Sequence, residues 1–221
     1  MNPINLEIID ETTKKFADDP ELAKRILWWL RNGHSCERWF QFEWAYKLQS
    51  VLESRYQNAY SVGCERDYMD VVIYRQPFTQ KPFTQLPLNK QNDFAGIEIK
   101  WCGNWAVSGS KGSIAETQKD FQKIHNKYNC PVLALSVWLF VTPSENNGPF
   151  YSWIAKQIKK EKVNIETLKH NLTSLDPHIE TGPYTIECPS DFGKLEMFCI
   201  GFYNDKAKSQ LTPYGLETTR P

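Results

Sequence analysis

Two helical stripes open the pattern of apolar and polar positions along this chain, and strand-like runs follow them. Asp19-Pro20-Glu21 reads as a helix start: a capping acid, proline at the first helical position, and a second acid in the first turn. Leu22, Ile26, Leu27 and Leu30 then recur at helical spacing, and Gly33 is placed to end the helix. Ser35 can cap a second, longer helix that runs to about Tyr56. Its Ala45, Leu48, Leu52 and Tyr56 form one stripe, while Trp39, Phe42 and Tyr46 cover much of the opposite side. The first half of this helix is thus apolar nearly all round, which predicts burial, and Glu43 sits inside the aromatic stretch.

Strand-like runs follow at residues 59–63, 67–75 and 95–102. Between the last two, Pro-Phe-Thr-Gln occurs twice in a proline-rich segment that predicts a long loop rather than a strand. Glycine and serine fill 108–113, and a helix is expected from there to about Tyr128, with Phe121, Ile124 and Tyr128 inward. Residues 131–141 are nearly all apolar and read as a central strand buried on both faces. After a turn-rich break come a basic helix at 150–162, a short helix near 165–171, and a strand pair at 184–188 and 195–203, with a loosely held tail from Asn204. The expected class is α/β in one domain over 1–221: a core at about 35–141, an N-terminal helix at 20–32, and a C-terminal α+β extension at 150–203.

Composition narrows the setting more than the chemistry. A chain of 221 residues with 41% hydrophobic and 24% charged residues is ordinary for a globular protein with a real core. Eight Trp suggest a densely packed interior. Lys plus Arg and Asp plus Glu balance at 26 each, so attraction to phosphate must come from local patches rather than a global field. The six scattered cysteines form no C-x-x-C, and the four histidines form no ligand pair, which argues against zinc. Reduced cysteines, no signal peptide and no apolar stretch of about 20 residues lead to the expectation of a cytoplasmic protein without a membrane span.

The candidate chemistry lies on two strands. In Glu98-Ile99-Lys100 the two charges share one face, while Ile97, Ile99 and Trp101 share the other. Asp70 is the acid inside the preceding run, Met69-Asp70-Val71-Val72-Ile73. An acid on one strand and Glu-x-Lys on the next is an arrangement that holds a divalent metal and a water beside a phosphodiester. The tripeptide alone says little, since chance supplies about one Glu-x-Lys in a chain of this composition. Its competing reading is an exposed ion pair on an edge strand, contributing about 0–1 kcal/mol. Asp67 competes with Asp70, and Glu37 stands in reserve for Glu43.

The order helix, strand, strand, strand, helix, strand, with Glu43 on the first helix, Asp70 on the second strand and Glu98-Ile99-Lys100 on the third, resembles the PD-(D/E)XK nuclease superfamily. The resemblance covers about half the chain and departs from the motif in one respect, since Met69 rather than proline precedes the acid. It implies a restriction-endonuclease-like fold with a central mixed sheet, and a Mg²⁺-dependent endonuclease (Mn²⁺ substituting) that hydrolyses DNA in restriction, defence, phage biology or repair. Asp70, Glu98 and the Ile99 carbonyl would ligate the metal, and Lys100 would orient or help deprotonate the attacking water. Glu43 would reach the metal through water or orient Lys100. Gln118, Lys123 and Lys111 are the expected substrate-binding residues. DNA is the expected partner, a homodimer is compatible with the resemblance, and a catalytically inactive binding or assembly module on the same fold is the alternative.

Overall fold

Helix boundaries follow local chemistry. In the computed structural model, which describes residues 4–32, 37–57, 59–66, 69–75, 94–104, 116–120, 122–123, 130–144, 156–158, 160, 164–188, 193–205 and 207–208, the first helix is α1, Leu6–Ala17. The Asn5 side chain caps it by accepting from Ile8 N–H at 3.0 Å. Sequence reasoning did not anticipate this helix. Its Thr12 and Thr13 are poor helix formers, but both are buried and turn their hydroxyls onto the Ile8 and Ile9 carbonyls at 2.7 Å. Helix α2 is Pro20–Asn32, with Asp19 accepting from the Glu21 and Leu22 N–H groups as the sequence anticipates. Helix α3 is Glu37–Tyr56.

Helices α2 and α3 lie antiparallel. Asp19 pairs with Lys47, Arg25 with Glu43, and the Trp29 and Trp39 rings meet at 4.5 Å. Phe40, Trp44, Leu48, Val51 and Leu52 face the core with no more than trace exposure. The expectation that the first half of α3 is buried all round does not hold. Phe42 is 50% and Tyr46 69% exposed, because α2 covers only one flank of the helix.

Among the described residues six strands form one mixed sheet: β1 Tyr60–Arg66, β2 Met69–Arg75, β3 Phe94–Gly103, β4 Val132–Pro143, β5 Ile179–Ile186 and β6 Gly193–Tyr203. Their order is β1-β2-β3-β4-β6-β5, with β3 and β4 parallel and the other neighbours antiparallel. β4 is buried along ten successive residues, as its apolar run predicts. The C-terminal strands join the main sheet through β6 and extend it.

Side-chain alternation divides the sheet between two cores. Val71, Ile73, Ala95, Ile97, Ile99, Leu133, Leu135 and Val137 pack with α1 and α3. On the other face, helix α4, Ile165–Thr173, sets Leu168 and Leu172 against Trp138, Phe140, Phe198 and Ile200. Two asparagines secure the ends of β4 by mimicking a strand partner. Asn104 bonds both backbone groups of Val141, and Asn204 bonds Val132 N–H and Cys130 C=O. Residues 116–120 and 122–123 are helical. The proline-rich segment, Asp67, Lys111 and most of the basic helix lie outside the described residues. Among the described residues no helix is long and apolar enough to cross a membrane.

Candidate functional site

The site begins where β2 leaves β3. Their register runs from Tyr74 opposite Phe94 to Val71 opposite Ile97 and stops there, one pair short of Asp70 and Glu98. Gly96 N–H bonds Pro131 C=O, so alternation turns the backbone groups of Ile97 and Ile99 toward β2. Where the ladder ends, the Asp70 carboxylate takes over, accepting from Ile99 N–H at 2.7 Å. A side chain replaces a strand partner, which holds the Asp70 carboxylate beside Ile99 and Glu98.

Glu98 and Lys100 alternate to the side of β3 opposite Ile97 and Ile99 and lie half-buried beside Ala134 and Ser136 of β4. These are small residues in a buried run, 132–141, otherwise built of Leu, Val, Trp and Phe, and they leave room for a pocket of about 250 Å³. Helix α3 contributes Glu37 and, one turn on, Gln41. The helical segment after β3 contributes Asp120 and Lys123. It is seated by Thr117, whose hydroxyl meets the Ser136 hydroxyl at 2.8 Å and the Cys102 thiol at 3.7 Å.

Electrostatics follow from this crowding. Burial pushes the Asp70 carboxyl up to about 7, against the Ile99 N–H, which favours the charged form. The charges of Glu98 and Glu37 and a hydrogen bond shared with Glu98 push in the same direction as burial. Lys100 lies 3.4 Å from Glu37. Burial works against its ammonium, but Glu37 and Asp120 outweigh that and hold its pKa above the ordinary lysine value. Burial also raises Asp120, partly offset by Lys100 and Lys123. Among the described residues the lining has four carboxyls, Glu37, Asp70, Glu98 and Asp120, against two ammonium groups, Lys100 and Lys123.

The donor set fits Mg²⁺. Asp70 and Glu98 are close enough to share a hydrogen bond, the strained arrangement that a divalent cation relieves, and the Ile99 carbonyl is turned to the same strand edge. Among the described residues no three His, Cys, Asp or Glu side chains cluster as a ready metal cage. Two carboxylates and a carbonyl suit an ion that binds hard oxygen and keeps several waters.

Of the residues singled out from the sequence, the pocket brings together Asp70, Glu98, Ile99, Lys100 and Lys123. Glu43 is elsewhere. It lies about 120° around α3 from Glu37, on the flank facing α2, and pairs with Arg25. Glu37, the reserve acid, takes the pocket position instead. Gln118 is exposed and does not line the pocket, whereas its neighbour Asp120 does. Gln41 and Ser136 were not foreseen. The i, i+4 spacing of Glu37 and Gln41 and the small residues at 134 and 136 were the available signals. Compared with protein-family models, curated proteins and solved structures, the chain matches none.

Proposed function

We propose that this chain is a Mg²⁺-dependent endonuclease that hydrolyses DNA phosphodiester bonds on a restriction-endonuclease-like fold. The observation that carries the reading is the meeting of Asp70, Glu98 and Lys100 in one pocket at the parting of β2 and β3. The strand sequence antiparallel, antiparallel, parallel from β1 to β4, with α3 on one face, supports the fold assignment.

Asp70, Glu98 and the Ile99 carbonyl would hold the metal, which when bound supplies a Lewis acid for the phosphoryl oxygen and a lowered pKa for water. Lys100 keeps its proton at neutral pH, given the direction of its shift, so it acts as a hydrogen-bond donor and positive charge rather than as a base. It orients water and offsets charge that grows on the phosphoryl oxygens. Glu37 holds the ammonium in place from α3. Lys123, which also lines the pocket, draws the phosphate toward it.

The test is cleavage of supercoiled plasmid, single-stranded DNA and RNA with Mg²⁺, Mn²⁺ or EDTA. DNA cleavage that requires metal and is lost in Glu98→Ala is the expected result. A wild-type chain that cleaves nothing with either metal, yet binds nucleic acid or a protein partner, would establish the binding-module alternative.

A further inference from the structure

Gln41 is the least explained residue in the pocket. It is 7% exposed, lies on the inner face of α3 among Phe40, Trp44 and Leu48, and lines the cavity. Its carboxamide has no hydrogen-bond partner among the described residues. Nearby buried polar groups are provided for: Thr117 and Ser136 bond each other, and Asn104 bonds Val141. The indole N–H groups of Trp44 and Trp138 are buried and unpartnered, but both rings lie among apolar side chains and do not line this pocket. Gln41 differs because it lines the pocket that also holds Lys100 and the acids. Facing the pocket, the amide is left to water rather than to a protein partner, whereas leucine or methionine could fill the same place on the helix.

We infer that Gln41 is a substrate-binding residue whose side-chain N–H donates to a non-bridging oxygen of the phosphodiester entering the pocket. The inference rests on the nuclease reading for the identity of its ligand. Chemistry favours a neutral donor here. Among the described residues four carboxyls already line the space, so another acid would repel phosphate, and another lysine would pair with Glu37 or Asp120 as Lys100 does with Glu37. A carboxamide offers two donors without adding charge or forming an ion pair. It therefore remains available for a phosphate oxygen.

The experiment compares wild type, Gln41→Met, Gln41→Glu and, as a control, Glu43→Gln. Binding of a short fluorescein-labelled DNA oligonucleotide is followed by anisotropy with Ca²⁺ in place of Mg²⁺, alongside thermal melts and, where cleavage occurs, kcat and KM. Gln41→Met should melt at or above the wild-type temperature and bind the oligonucleotide about tenfold or more weakly, the worth of a hydrogen bond to a charged group. Gln41→Glu should bind more weakly still, and Glu43→Gln should bind as wild type does. Unchanged oligonucleotide binding in Gln41→Met overturns the inference, as does a melting temperature lowered by several degrees, which would make Gln41 a structural residue. Tighter oligonucleotide binding by Gln41→Glu also overturns it, because the side chain would then act through its carbonyl toward the cation. Absence of any oligonucleotide binding by the wild-type chain overturns it too. If the wild type binds but cleaves with no metal, and binding still depends on Gln41, the catalytic reading fails while the recognition role stands.

Discussion

Replacing Asp70 with asparagine is expected to stabilise the metal-free protein at and above neutral pH and to change it little below about pH 4. Burial and the neighbouring Glu98 and Glu37 push the Asp70 carboxyl up to about 7 in the fold, against an ordinary value of about 3.9 in an unfolded chain. Between those values the folded state holds a proton that the unfolded state has released. Stability therefore falls as pH rises through this window and is fully present only below it. At about 1.4 kcal/mol per pH unit the full loss is about 4 kcal/mol, and the carboxyl's access to water in the open pocket reduces this to on the order of 2–3 kcal/mol. Asparagine keeps an acceptor for Ile99 N–H and offers a donor to Glu98, so it removes the titration without removing the contacts. For a chain of this length, 2–3 kcal/mol corresponds to roughly 5–10 °C in Tm. The assay is thermal and urea unfolding of both proteins in EDTA from about pH 4 to pH 8, read as the difference between them, so that groups common to both cancel. A difference that stays flat across the window, or a variant less stable than wild type at pH 8, would refute the account of a crowded acid pair.

Four further outcomes follow from the same geometry. Mn²⁺ should raise the melting temperature of the wild type by an amount that grows with concentration, about 2.7 kcal/mol at a hundredfold excess over Kd, and should leave Asp70→Ala unmoved; an equal response in both places the ion elsewhere. Lys100→Ala should lower DNA cleavage by on the order of a hundredfold while oligonucleotide binding and fold change little, since no apolar cavity is left; an unaltered rate removes Lys100 from the reaction. Glu43→Gln should leave cleavage unchanged and cost no more than about 1 kcal/mol, because the Arg25 pair is partly solvated; a large loss of cleavage would return Glu43 to the site. Asn204→Ala should destabilise by about 2–4 kcal/mol in urea unfolding, because it strips the partners from Val132 N–H, Cys130 C=O and Ala207 N–H; a change below about 1 kcal/mol would show that the end of β4 does not depend on this clamp.

Much of this architecture was legible in the pattern of side chains. The helix start at Asp19-Pro20, the two-sided burial of β4, and the alternation that separates Glu98 and Lys100 from Ile97 and Ile99 depend on caps and on periods of 3.6 and 2, which are local properties of the chain. α1 was not legible, because Thr12 and Thr13 become acceptable in a helix only when packing buries them against the sheet. The face of α3 that matters was ambiguous for a related reason. Glu37 and Glu43 are both acids among aromatics, and only the docking of α2, with Arg25 opposite Glu43 and Trp29 against Trp39, assigns one to the helix interface and the other to the pocket. The pocket itself is a product of pairing across long stretches of sequence. Asp70 meets Ile99 because β2 stops pairing with β3 after Val71, and the space beside them exists because parallel register sets Ala134 and Ser136 opposite Glu98 and Lys100. Spacing along a chain tells which side chains share a face, but register between strands and the point where they part depend on packing of the whole sheet.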